Sequence, residues 1–219
     1  MKKIIYSPGE PSGIGPDLII QLCTSKFWVD IKLPIVCLAD PKLLIDRASK
    51  LGKKIKLLQI NDLDKIQKNK KNHIQVLCVT KCNNLKPGKL YKSNASYVLK
   101  NLDFAIENAL NDKNTALVTG PISKENIISI NKKFQGHTEY IQKKTASDDV
   151  LMLLGSDKLK VALATTHLPL KNVAKAITKK LITSKARILN DELKLSLIHI
   201  SEPTRPERMS LAGFCVKKK

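Results

Sequence analysis

The sequence predicts an α/β fold with a largely parallel sheet. Short β-branched apolar runs alternate along the chain with amphipathic helical patterns, the order that parallel βαβ units produce. Three boxes rich in glycine, proline and hydroxyl residues each follow a predicted strand directly, where α/β folds gather their ligands. With 219 residues, 42% of them hydrophobic, the chain can bury one large core or two modest ones.

Each element has its own signal. "KIIYS" (3–7) is a short β-branched apolar run and predicts the first strand. Pro16 can open the helix "PDLIIQLC" (16–23), with Asp17 in its first turn complementing the dipole. "LPIVCLAD" (33–40) predicts a second strand, and its last residue, Asp40, can cap "PKLLIDRASKLG" (41–52). Pro41 suits the first position of that helix and Gly52 lies near its end. "IQVLCVT" (74–80) reads as a strand. From Ser93 onward, Tyr97, Leu99, Leu102, Ala105, Ile106, Ala109 and Leu110 recur at helical spacing. "TALVTG" (115–120) predicts a strand, "SKENIISI" (123–130) a short helix, and Thr138 can cap the helix "EYIQKK" (139–144). "VLMLLG" (150–155) and "KVALATT" (160–166) predict two more strands, and residues 170–193 carry helical signal in two pieces.

Composition excludes several classes. The apolar runs are strand-sized, so no membrane span is expected, and the run after "MKK" is too short for a signal peptide. A cytoplasmic protein is the expectation. Five cysteines, an odd number without framework spacing, fit a reducing compartment. Cys78 and Cys82 form "CVTKC", but no second pair or nearby histidine completes a zinc site, which leaves free thiols on or near a strand. The net charge of +20 raises a reading from another class, a basic nucleic-acid-binding protein. Against it, 35 lysines face four arginines, aromatics are 4% of the chain, and the lysines are dispersed. No specific nucleic-acid partner is therefore expected; a steep loss of binding with salt would mark one.

The first box, "SPGEPSGIGPDLII", has Gly9, Gly13 and Gly15 at a spacing that is neither the dinucleotide fingerprint nor a P-loop. It is equally a glycine-rich turn, with Glu10 able to meet a cationic group. The second runs from "VTGPISKEN" to "GHTEY". There Thr138 at a helix start sets free backbone donors beside the His137 imidazole, an arrangement suited to a polar or anionic ligand and equally to a capped surface turn. Lys124 is one of many lysines and carries no signal alone. The third, "KVALATTHLPL", ends an apolar strand in Thr165, Thr166 and His167. A histidine there is either a metal or acid/base group or a hydrogen-bonded core-edge residue.

Together, "GEPSGIGPDL", "ALVTGPISKENI", "FQGHTEYI" and "VALATTHLPLKNVAKAIT" resemble the 4-hydroxythreonine-4-phosphate dehydrogenase family of pyridoxal phosphate biosynthesis, in the family's order and spacing over residues 3 to about 190. The resemblance implies an α/β/α sandwich of the isocitrate and isopropylmalate dehydrogenase type, with two subdomains and the site in the cleft between them. It implies a homodimer whose subunits share the metal site, NAD as oxidant, and a divalent cation (zinc, magnesium or cobalt). The substrate is a small phosphorylated hydroxy-amino acid, 4-phosphooxy-L-threonine, oxidised to a β-keto acid that loses carbon dioxide. His137 and Thr138 inherit substrate binding, and His167 inherits metal ligation. NAD-contacting and catalytic residues are not identified. The metal would lower the pKa of the substrate hydroxyl and then stabilise the enolate left by decarboxylation. Related enzymes act on phosphorylated threonate or on cis-dihydrodiols, and these boxes do not separate the three.

The family is longer than this chain. Its second and third metal histidines, in an Asn-Pro-His-Ala-Gly-Glu box and a later His-Asp box, do not occur in the sequence. In their place stands "LSLIHISEPTR" (195–205), which is similar to one reading frame of a transposon-end adapter used in sequencing libraries. The expectation is a dehydrogenase segment over 1–194, truncated partway through the fold and inactive, with 195–219 an artefactual tail. Its His199 is accordingly not taken as a ligand. An independently amplified copy of the gene that kept these codons would refute the tail assignment.

Overall fold

The computed structural model describes residues 2–83, 86–156, 159–166 and 168–195, with side chains to residue 191. The chain forms two compact units, one through Ala146 and one from Ser147 onward. The first holds a five-stranded, wholly parallel sheet in the order β3-β4-β2-β1-β5. Its strands are β1 (Lys3–Ser7), β2 (Ile35–Leu38), β3 (Lys56–Gln59), β4 (His73–Leu77) and β5 (Thr115–Thr119).

Successive side chains point to opposite faces of a strand, and helices cover both faces here, so the strands read as unbroken apolar runs. Tyr6, Cys37, Ile74 and Val76 pack with Ile19, Ile20, Cys23, Leu44 and Ala48 of α1 (Gly15–Thr24) and α2 (Pro41–Lys50). Ile5, Val36, Leu38 and Leu77 face the other way, against Ala105 of α3 (Ala95–Asn111). Trp28 closes the first cluster from a 3-10 turn at Lys26–Val29, its Nε1 donating to Lys70 O at 3.0 Å. Asp40 caps α2 as its position predicts, with Oδ1 accepting from the Lys42 N–H at 2.9 Å and Pro41 first in the helix. Beyond the C-cap residue Leu51, Gly52 turns at φ +62°.

Three features depart from expectation. β3 is a four-residue edge strand opening and closing on exposed Lys56 and Gln59, too short and polar to stand out from the lysine-rich turn before it. β4 ends at Leu77, so Cys78 to Thr80 lie past the strand. In the second unit β6 (Met152–Gly155) and β7 (Lys160–Leu163) pair antiparallel, because residues 156–159 are too few for the crossover a parallel pair needs. The helices α6 (Leu170–Ala176) and α7 (Lys179–Leu195) follow, the two pieces that the periodicity predicts. Among the described residues no helix is long and apolar enough to cross a membrane.

The site is positioned by the sheet order. From β1 the chain crosses to β2 on one side, and later returns through α3 to β5 on the other. A reversal of this kind opens a crevice at the carboxyl ends of the two diverging strands.

Candidate functional site

β1 and β5 run in register to their last pair, Ser7 with Thr119, so the first two boxes emerge side by side. Gly120 N–H donates to Ser7 O at 2.7 Å and Glu10 N–H to Pro121 O at 3.0 Å. Contact at that distance leaves no room for side chains. A Cβ on Gly9 (φ +79°) would lie 2.3 Å from Pro121 O, and one on Gly120 2.2 Å from Pro8 O.

Glu10 is 4% exposed, and its carboxylate bridges the boxes. Oε1 accepts from the Ser12 N–H and Oε2 from the Asn126 amide, both at 3.2 Å. These donors are neutral, where the sequence allowed a cationic partner. Asn126 lies in α4 (Lys124–Ile128), whose N-cap Ser123 accepts from the Asn126 N–H at 3.3 Å. Asn126 Nδ2 also reaches Tyr91 O at 3.3 Å. Asp17 faces Arg47, which is 5% exposed. One guanidinium nitrogen donates to both Asp17 oxygens at 3.0 Å and the other to Pro11 O at 2.8 Å, so a partly buried ion pair ties α2 to α1 and the second nitrogen ties it to the glycine-rich turn. Sequence reasoning missed Arg47, Asn126 and Lys124. Their types and spacing carry no signal until the sheet brings distant segments together.

The "GHTE" stretch begins α5 (His137–Lys144). The first helical bond runs from Tyr140 N–H to Gly136 O at 3.1 Å, so Gly136 is the N-cap and Thr138 lies inside the first turn. This corrects the expectation that the Thr138 hydroxyl caps the helix; the extended glycine starts the turn earlier. Phe134, 3% exposed, packs with Tyr97, Val98 and Ile127, and stands 5.3 Å from the Tyr140 ring. Tyr140 Oη donates to Asp103 Oδ1 at 2.6 Å, which anchors α5 on α3.

His137 is half-buried and Thr138 exposed. Burial, and next the Lys124 ammonium, push the His137 pKa below its ordinary 6.5. The Lys124 side chain lies along Gly136: a Cβ there would be 3.7 Å from its Nζ and 2.9 Å from Glu139 Oε2. The imidazole is therefore neutral at pH 7, able to donate from one nitrogen and accept at the other. Because folding lowers this pKa, the unfolded chain binds more protons as pH falls through the histidine range. His137 thus favours the folded state above about 6.5, its unfolded value, and that contribution is lost as pH falls through its folded value. A ring titration followed by NMR is expected to place its midpoint below the ordinary 6.5, and a midpoint at or above that value would contradict the packing.

His167 lies outside the described residues; β7 ends at Leu163, before it. Among the described residues no group of three or more histidine, cysteine, aspartate or glutamate side chains could hold a metal ion, so the implied metal has no donor set there. Cys78 and Cys82 are free. Cys82 N–H and Sγ point to Asp40 Oδ2 at 3.2 and 3.8 Å, and burial with that carboxylate pushes its thiol up to about 12, the reverse of an activated cysteine.

A parallel sheet whose order reverses between β2 and β5 about β1, with glycine turns and a buried carboxylate at the ends of β1 and β5, defines an α/β protein of the doubly wound kind. Solved dehydrogenases share that fold. A 4-hydroxythreonine-4-phosphate dehydrogenase from Burkholderia phymatum superposes with a TM-score of 0.80 at 22% identity, over 89% of this chain and 58% of its own. The one from Klebsiella pneumoniae gives 0.78 at 23% identity, over 88% and 58%. These solved structures have the isocitrate dehydrogenase-like sandwich expected of the family. The family described as pyridoxal phosphate biosynthetic protein PdxA matches residues 30–204, and the chain belongs to that family. It is 38% identical over 193 residues to the 4-hydroxythreonine-4-phosphate dehydrogenase of Enterobacter sp. (strain 638), which covers 88% of this chain and 58% of that protein. The chain thus spans under two thirds of the length of the relatives it matches.

Proposed function

We propose that residues 1–194 belong to an NAD-dependent, decarboxylating dehydrogenase acting on 4-phosphooxy-L-threonine in pyridoxal 5'-phosphate biosynthesis. The observation that carries this is the 38% identity over 193 residues to a relative named 4-hydroxythreonine-4-phosphate dehydrogenase. Under this reading His137 and Thr138 bind substrate at the start of α5, where neutral imidazole, hydroxyl and backbone N–H groups can hold polar oxygens without a buried charge. His167 is the one metal ligand this chain supplies. When bound, the divalent cation (zinc, magnesium or cobalt) would polarise the substrate hydroxyl. Homodimerisation, a cytoplasmic location, and residues 195–219 as a non-native tail complete the proposal.

The test uses native-length enzyme from a resequenced gene, with 4-phosphooxy-L-threonine, phosphorylated threonate and a cis-dihydrodiol compared in parallel. NADH and carbon dioxide are expected from the first at the highest kcat/KM. His137→Ala should lower that value about 10- to 100-fold, the worth of a hydrogen bond to a charged group. Preference for either other substrate would replace this reading.

A further inference from the structure

α5 has little apolar purchase on the unit that carries it. None of its eight residues is buried, whereas seven residues of the 17-residue α3 are. It is also the last helix of the first unit, which ends at Ala146, so no later part of that unit packs over it. Most helices in proteins owe their place to the packing of an apolar face. α5 takes its place largely from polar contacts.

Two of these converge on one carboxylate of α3. Tyr140 Oη donates to Asp103 Oδ1 at 2.6 Å, and Lys144 Nζ stands 2.9 Å from the same oxygen. Tyr140 and Lys144 lie one turn apart on one face of α5, with the ammonium 5.5 Å from the centre of the tyrosine ring. Burial, and next the Asp103 carboxylate, push the phenol pKa up, so the hydroxyl stays protonated and donates. A bond from hydroxyl to carboxylate is of the stronger, charge-assisted kind. The lysine pair is more than a third exposed on both sides and contributes less. Asp103 follows the buried Leu102 and precedes the buried Ala105 and Ile106, so the core fixes its backbone.

We propose that Asp103 is a positioning residue of this site: through Tyr140 it fixes α5 on α3 and so sets where His137 and Thr138 stand. The proposal rests on the functional reading above, which gives those two residues to substrate. Tyr140 comes three residues after His137, on the adjoining turn of the same helix face. A helix released at Tyr140 therefore carries the imidazole with it. Phe134 also touches the tyrosine ring, from the preceding loop. Tyr140→Phe keeps that ring contact and removes the hydroxyl alone.

The experiment compares the parent with Asp103→Ala, Asp103→Asn, Tyr140→Phe and the double variant Asp103→Ala/Tyr140→Phe. In the 219-residue chain, the His137 ring titration is followed by NMR. Its midpoint is expected to rise toward the ordinary 6.5 in Asp103→Ala and Tyr140→Phe, as the ring leaves its half-buried place near Lys124. In Asp103→Asn, which keeps an acceptor oxygen, it should stay near the parent value. In native-length enzyme, KM for 4-phosphooxy-L-threonine should rise about 10-fold in either single variant, with kcat within about 2-fold. The double variant should be no worse than the singles, because both remove the same bond. If Asp103→Ala does not fold, Tyr140→Phe, which loses one oxygen atom, decides alone. A midpoint unmoved in Tyr140→Phe, or losses that multiply to about 100-fold in the double variant, would overturn the proposal. So would lower urea stability with midpoint and KM both unchanged, the mark of a purely structural bond. If native-length enzyme prefers another substrate while the His137 midpoint still follows Asp103 and Tyr140, the functional reading fails and the positioning role stands. If 4-phosphooxy-L-threonine is preferred and its KM ignores both residues, the positioning role fails and the reading stands.

Discussion

Gly15→Ala is expected to cost about 3 kcal/mol or more of folding stability, at or beyond the upper end of the usual penalty for overpacking. A Cβ at Gly15 would lie 1.8 Å from Pro8 O, 2.8 Å from Pro8 C and 3.2 Å from Pro8 Cα. Every one of those atoms is backbone, so no side chain can swing aside. Relief requires moving either the end of β1 or the start of α1. The same carbonyl that would shift, Gly15 O, accepts from the buried Tyr6 Oη at 2.9 Å, and burial already pushes that phenol up to about 12. Displacement would also loosen the turn that holds Glu10 and Pro11 against Asn126 and Arg47. Gly52→Ala is the control. It meets nothing within 4 Å, and its φ of +62° is the sole obstacle, a strain of about 1 kcal/mol. Urea unfolding of the two variants should separate them clearly. A Gly15→Ala protein within about 0.5 kcal/mol of the parent, the range of a neutral surface change, would show that the two turns do not press together as described.

The 219-residue chain itself, supplied with 4-phosphooxy-L-threonine, NAD and zinc, magnesium or cobalt, is expected to form no NADH above the uncatalysed background. The resemblance implies three metal histidines, and this sequence contains the box of one, His167. Its other histidines do not fill the gap. His73 opens β4 with Nδ1 at 2.7 Å from the Lys71 carbonyl oxygen, His137 is proposed above to bind substrate, and His199 lies outside the described residues. A divalent ion offered one imidazole in place of three binds far more weakly, and the polarisation of the substrate hydroxyl goes with it. Native-length enzyme assayed beside the chain supplies the positive control. Steady NADH formation by the chain alone would mean that its own residues complete a working site, and the assignment of His167 as one of three histidine ligands would fall.

Local signals in the chain were enough for most elements. The period of α3, the Asp40–Pro41 start of α2 and the apolar run of β1 are all properties of neighbouring residues, and each appears where the sequence puts it. β3 escaped because four residues at a sheet edge need little apolar surface. The antiparallel pairing of β6 and β7 could have been read from the shortness of their connection. Thr138 was misplaced as a cap because hydroxyl preference favours it, whereas the preceding extended Gly136 starts the helix first.

The sequence by itself determined the α/β class, the strand-end location of the polar boxes and the candidacy of His137, because helical and strand periods, caps and glycine turns are written within a few residues of one another. Tertiary structure alone decided that Glu10 is joined to Asn126 and Asp17 to Arg47, and that the Lys124 ammonium stands near His137. The first two pairings span 116 and 30 residues, and each depends on which strands are neighbours. Strand order is set by the packing of whole helices across both faces of the sheet, a sum over many contacts that no short stretch of sequence records.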